Sequence, residues 1–271
     1  MTSTTINNVR IHYRVSREGP AATLLHGYTG SHQDWAHQIP LLSKRYQVVA
    51  LDYRGHGKSE APSAARGYSI ELLIQDVRGL LRHLSIPRSC IVGHSMGGFI
   101  ALELALKYAD MVSALVLVDT SSGEFERVPG FAELRARLDE LARSEGMEAA
   151  FEYNAAHNPL AQQQFERHPE LRQVSRQKML QTSVDGYVFT WRAISEWKPV
   201  TERLSEIKVP TLIVVGEEDT PFHRPSQIMK ESIANSRLEI IPGVGHSPHE
   251  EAADAFNEVL MDFLAGLHLG G

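Results

Sequence analysis

From Val9 the chain alternates: Val9, Ile11, Tyr13 and Val15 are apolar, while Arg10, His12 and Arg14 are polar. A period of two predicts a strand with one wet face, as on the antiparallel edge of a sheet. The later apolar runs Ala22–Leu25, Val48–Leu51, Cys90–Val92, Ala114–Val118 and Leu212–Val215 are short and do not alternate. Strands covered on both faces of a parallel sheet read this way. Between them the period becomes helical. Ile70, Leu73, Ile74, Val77, Leu80, Leu81 and Leu84 share one face, with Ser69 placed as N-cap and Pro87 beyond the end. Phe256, Val259, Leu260, Phe263, Leu264 and Leu267 repeat the pattern before Gly270. Alternating strands and helices predict an α/β fold with a doubly wound, mostly parallel sheet.

Residues 121–200 break the alternation. They carry no buried-strand run, are helical and charged in pattern, and hold nine of the aromatics: Phe125, Phe131, Phe151, Tyr153, Phe165, Tyr187, Phe189, Trp191 and Trp197. The stretch is too long for a loop. It predicts a helical cap over the carboxyl ends of the strands, inserted into a core made of residues 1–120 and 201–271.

Composition narrows the class. A chain of 271 residues with net charge −6 and no dense basic run lacks the footprint of a nucleic-acid binder. Its 1 cysteine, Cys90, forms no intrachain disulfide and suits a reducing compartment. Met1 to Asn8 is polar, with no signal-peptide run after it, and Ala114–Val118 is far short of the roughly 20 residues that span a bilayer. A soluble, cytoplasmic protein is expected.

The strongest chemical signal is Gly93-His94-Ser95-Met96-Gly97-Gly98, directly after one strand and directly before the helical run Phe99–Tyr108. A serine on so sharp a turn is held in a strained conformation with its hydroxyl above the sheet. It needs a base. His246 lies in the glycine-rich loop Pro242-Gly-Val-Gly-His246, after the strand-like run Leu238–Ile241, and reaches the same sheet edge. His249 opens an acidic first helical turn and reads as a surface residue; His94, the variable position of the elbow, is expected to point away from the nucleophile. The orienting acid should follow an intervening strand, which selects Asp219 in Gly216-Glu-Glu-Asp219; Asp119 is the other candidate, and Glu217 and Glu218 read as solvated loop. Two backbone amides should form an oxyanion hole: Met96, after the nucleophile, and Tyr28, in the loop His26-Gly27-Tyr28. His26 reads as a buried buttress of that loop.

Taken in order, His26-Gly27-Tyr28, Asp52-Tyr-Arg-Gly-His-Gly-Lys-Ser59, Gly93-His-Ser95-Met-Gly97, Gly216-Glu-Glu-Asp219 and Gly245-His246 resemble the α/β-hydrolase superfamily of serine hydrolases over nearly the whole chain. The resemblance implies Ser95 as nucleophile, His246 as base and Asp219 as acid, with no metal or organic cofactor. Relatives with such a cap include carboxylesterases, enol-lactonases and N-acyl homoserine lactonases. Family dehalogenases and epoxide hydrolases use aspartate where this chain has Ser95, and the menaquinone-pathway synthases have arginine where it has Phe99. The expected activity is hydrolysis of a carboxylic ester or lactone with an apolar acyl part, with Phe125, Phe151, Trp191 and Trp197 as candidate substrate-binding residues under the cap. The expected partner is a small molecule, not nucleic acid or membrane, bound by a monomer or homodimer. A receptor that binds without turnover is the reading from another class. Weaker signals carry bland explanations. Gly57-Lys58-Ser59 lacks the first glycine of a phosphate loop, His246 and His249 lack a third metal ligand, and Cys90 sits inside a strand.

Overall fold

The computed structural model describes residues 2–16, 19–123 and 130–267. Among them, eight strands form one sheet in the order β1-β2-β4-β3-β5-β6-β7-β8. In chain order these are β1 (Thr2–Ile6), β2 (Val9–Val15), β3 (Ala21–Leu25), β4 (Gln47–Leu51), β5 (Ser89–His94), β6 (Val112–Val118), β7 (Thr211–Gly216) and β8 (Ser236–Ile241). β2 runs antiparallel to β1 and β4, and every later pairing is parallel. The fold class is therefore the one the apolar pattern predicts.

The non-alternating runs have a direct physical cause. Successive residues of the central strands divide between two cores: Leu25, Val49, Ile91, Leu115, Leu117 and Ile213 pack on one face of the sheet, and Leu24, Val48, Ala50, Cys90, Val92, Val116 and Val214 on the other. α2 (Ile70–His83) and α3 (Met96–Lys107) cover the first face, and α1 (Gln38–Leu42) and α11 (Ala253–Ala265) the second. Ser69 caps α2 by accepting the Leu72 N–H at 3.1 Å. Cys90 is fully buried, and burial pushes its thiol up to about 12, which suits inert packing.

Two features depart from the period-two reading of the N-terminus. β1 is not predicted by its polar sequence; it forms because Asn7 and Asn8 both take left-handed φ, turning the chain back onto β2. On β2 the expected wet face is broken. His12 is buried because Ser59 and His32 come over it, while Val15 at the strand end is 40% exposed.

Between β6 and β7 the described chain forms α4 (Phe131–Ser144), α5 (Met147–His157), α6 (Pro159–Arg167), α7 (Pro169–Leu180) and α8 (Val184–Glu196). They share a small core of their own around Leu138, Leu141, Met147, Phe151 and Met179. α8 meets the loops that leave the carboxyl ends of β3 and β4: Tyr28 Oη donates to the Tyr187 carbonyl at 2.5 Å, and the Ser183 N–H donates to the Gly55 carbonyl at 2.9 Å. The β4 loop is itself tightly organised. Asp52 accepts from the backbone N–H of His32 and Lys58 and pairs with the His32 ring. Burial raises its carboxyl, but those partners outweigh it and hold the group at about 2. α9 (Thr220–Ser232) follows β7, and α10 (Pro248–Glu251) precedes α11. No helix among the described residues is long and apolar enough to cross a membrane.

Candidate active site

The six parallel strands β3 to β8 deliver loops to one edge of this sheet, because parallel strands all end there. β5 delivers Ser95. It sits between strand and α3 with φ 50° and ψ −115°, a conformation that costs a non-glycine residue energy and lifts its hydroxyl out of the sheet. The strain is held in place by close packing below. A Cβ on Gly93 would lie 2.3 Å from the Gly97 carbonyl oxygen, and one on Gly97 would lie 2.2 Å from that of Leu25. Thr120 Oγ1 donates to the Ser95 carbonyl at 2.7 Å, and the Ser95 N–H donates to Val118 at 2.9 Å.

β8 delivers His246 and β7 delivers Asp219. His246 Nε2 lies 3.1 Å from Ser95 Oγ, and Nδ1 lies 2.7 Å from Asp219 Oδ2. Those contacts assign the tautomer: Nδ1–H donates to the carboxylate, which leaves Nε2 to accept from the hydroxyl. Burial lowers the imidazole's proton affinity, but the Asp219 charge and hydrogen bond and the nearby Glu251 outweigh it and raise His246 above its ordinary value. For Asp219 the balance is the reverse. Burial raises it, yet the charge and hydrogen bond of His246 bring it below the usual carboxylate range. Phe222 packs against the His246 ring at 4.9 Å between centroids.

The oxyanion candidates come from opposite sides of Ser95. Met96 begins α3, where backbone N–H groups are unpaired and the helix end is electropositive. The loop bearing Tyr28 presses on the elbow, since a Cβ on Gly27 would lie 3.4 Å from Ser95 Cβ. His26 buttresses this loop from a fully buried position: Nε2 accepts the Tyr53 N–H at 3.1 Å and Nδ1–H donates to the Gly27 carbonyl at 2.7 Å.

A model of the α/β hydrolase fold family matches residues 23–253. The chain belongs to the α/β hydrolase fold family. It is 29% identical over 95% of its length, and 96% of the relative's, to a Bacillus subtilis (strain 168) protein that carries the name of a putative 2-succinyl-6-hydroxy-2,4-cyclohexadiene-1-carboxylate synthase. The enol-lactonase from Burkholderia xenovorans LB400 superposes with a TM-score of 0.85 at 30% identity, over 97% of this chain and 100% of that one. A thermophilic esterase from Thermogutta terrifontis gives 0.86 at 26% identity, over 98% of each chain.

Several side chains of this α/β hydrolase lie where the sequence did not place them. His249 is fully buried, not on the surface: its ring is 4.5 Å from those of both Trp35 and His94, so the helical turn that carries it faces inward. His94 holds the loop of His246, with Nε2–H donating to the His246 carbonyl at 2.7 Å. Burial keeps both imidazoles neutral. Of the four candidate substrate-binding aromatics, Trp191 stands 5.5 Å from the Tyr28 ring. Phe151 is buried inside the core that α4–α8 share, Trp197 stacks on Phe99 and donates to Glu103, and Phe125 lies outside the described residues. Arg135, which no motif announced, is buried over the Tyr28, Tyr187 and Trp191 rings and pairs with Asp139.

Three groups of His and Asp bring donor atoms within 4.8 Å of one another among the described residues: His12/His32/Asp52, Asp34/His94/His249 and Asp119/Asp219/His246. The first is the hydrogen-bonded base of the β4 loop, and the third includes the Asp219–His246 contact just described. In the second, the Lys178 ammonium is 3.3 Å from Asp34 Oδ1 and already supplies a cation.

Proposed function

We propose that this α/β hydrolase is a serine hydrolase that cleaves carboxylic esters or lactones with an apolar acyl part through an acyl-enzyme. The observation that carries the reading is the unbroken relay of Ser95 Oγ, His246 and Asp219, at 3.1 and 2.7 Å. Ser95 attacks the carbonyl carbon while His246 Nε2 takes its proton. Asp219 keeps the imidazole in the required tautomer and stabilises it once charged. The Tyr28 and Met96 amides bind the tetrahedral oxyanion. The C–O bond to the leaving alkoxide then breaks as His246 returns the proton. A water, deprotonated by the same nitrogen, releases the acid. In a lactone the alkoxide stays tethered to the acyl group, so esters and lactones share every step. The Tyr28 ring, on the loop beside Ser95, packs with Trp191, which in turn packs with Phe131, and this aromatic cluster supports an apolar acyl group; the likeness to an enol-lactonase and an esterase supports both substrate types.

A fluorophosphonate probe tests nucleophile, base and oxyanion site together, because an unactivated serine does not react. One adduct, mapped to Ser95, is expected. No adduct, or one on another serine, overturns the reading and returns the non-turnover receptor. Turnover of p-nitrophenyl esters set beside acyl homoserine lactones separates the two substrate types.

The pH profile follows from His246. Attack needs the neutral imidazole, and its proton affinity is raised. Activity on esters should therefore be lost as pH falls, with the acid limb of kcat/KM centred above the ordinary imidazole value of about 6.5. A limb centred well below that value contradicts the Asp219–His246 pairing.

A further inference from the structure

Asp119 directly follows β6 and has no part in the mechanism above, yet it is held at many points. It is fully buried and holds a positive φ of 41° that a non-glycine residue adopts only under constraint. Its N–H donates to the Val214 carbonyl at 2.9 Å, and its Oδ1 accepts the Gly216 N–H at 2.9 Å. One oxygen atom of Asp119 and one of Asp219 lie within 4.8 Å of each other and of a His246 ring nitrogen. On each carboxyl group one oxygen is accounted for: Asp119 Oδ1 by Gly216 and Asp219 Oδ2 by His246. The remaining two, Asp119 Oδ2 and Asp219 Oδ1, are buried with no other donor. Two adjacent buried carboxylates, of which only Asp219 pairs with the imidazole, would repel. One proton placed between the orphans satisfies both.

We propose that Asp119 is a positioning residue that stays protonated and donates its O–H to Asp219 Oδ1, so that Ser95, His246, Asp219 and Asp119 form a four-membered relay. The direction of the proton follows from the surroundings. Asp219 has the imidazolium-forming His246 as partner, whereas Asp119 has Asp219 and Glu251, both acidic, near it and only one backbone donor. Burial and those acids push Asp119 well above the carboxylate range, while Asp219 goes below it. The neutral acid thus fixes the rotamer of Asp219 without adding a second charge beside the base.

The inference rests on Asp219 orienting His246, and the variants separate the two. Asp119→Asn keeps the shape, accepts from Gly216 and donates to Asp219 as the protonated acid does. It should keep kcat and KM within about threefold of wild type and leave the acid limb unmoved. Asp119→Ala removes the donor and should lower kcat about 10- to 100-fold with KM little changed. A shift of the Asn variant's acid limb downward by about one pH unit would show that a charge had been removed, and overturns the proposal. So does wild-type kcat in the Ala variant. A third readout needs no substrate: the infrared difference between wild type and Asp119→Asn at neutral pH should contain the C=O stretch of one protonated carboxylic acid, and its absence overturns the proposal even if the Asp119→Ala variant fails to fold. Should fluorophosphonate leave Ser95 unlabelled while that band is present, the hydrolase reading fails and the shared proton stands.

Discussion

Ser95→Ala is expected to lower kcat on p-nitrophenyl esters by at least about 10⁴-fold while the protein stays folded. The size of the effect comes from the division of labour in the relay. With the hydroxyl gone, His246 Nε2 has no proton to take, and what remains is whatever the oxyanion amides and substrate binding do for direct attack by water. The fold should not notice. The Ser95 hydroxyl's hydrogen bond is the one to His246, while the backbone bonds to Val118 and Thr120 that hold the elbow stay in place. Alanine has the same Cβ, so the strain at φ 50° is unchanged. Circular dichroism and a melting temperature within a few degrees of wild type would certify the comparison, and KM should move far less than kcat. Wild-type turnover in the variant would remove the serine from the chemistry altogether.

The elbow was legible because everything that makes it is local. A strand, two spaced glycines, a serine and a helix follow one another within a short stretch of chain, and the steric reason for each glycine is close by in sequence or in the adjoining strand. The five buried strands were legible for a related reason: two cores claim alternate side chains, so the runs are apolar but for Thr23, whose buried hydroxyl is paired with that of Ser89 at 2.8 Å. β1 and β8 were harder. β1 is polar and owes its existence to pairing with β2, and β8 lies at the open edge with Ile240 53% exposed. The histidines misled because burial is a tertiary property. His12 and His249 look like surface residues until His32, Trp35 and His94 close over them. Asp119 was visible as a rival to Asp219, but two carboxyl groups meeting through a proton can be seen only once β6 and β7 are paired in register. The aromatics of residues 121–200 stayed ambiguous for a plain reason: an apolar helix face suits a core and a substrate equally well, and only the structure shows Phe151 buried in the α4–α8 core while Trp191 meets the Tyr28 ring.

The largest stability effect is expected away from the chemistry, at Arg54. Its guanidinium makes a two-pronged ion pair with Asp76 of α2, Nε to Oδ2 at 2.6 Å and Nη2 to Oδ1 at 2.7 Å, and Nη1 donates to the Gly67 carbonyl at 2.8 Å. Both side chains are buried, at 3% and 0% exposure. Arg54→Met keeps the aliphatic stem but leaves Asp76 as a buried charge with the Asn7 amide at 3.0 Å in place of its counter-ion. Removing one partner of such a pair typically costs about 3–5 kcal/mol, which in a domain of this size lowers the melting temperature by roughly 6–20 °C. The double variant Arg54→Met, Asp76→Leu should regain most of that loss, since the penalty belongs to the stranded charge and not to the missing bond. A single variant that melts within about 2 °C of wild type would show that solvent reaches Asp76. The damage should also travel. Gly55, the next residue, accepts the Ser183 N–H at the start of α8, and α8 carries the Tyr187 carbonyl to which the Tyr28 hydroxyl is tied. Faster amide exchange at Ser183 and Tyr187 in Arg54→Met would trace that route from a buried ion pair to the loop that carries Tyr28.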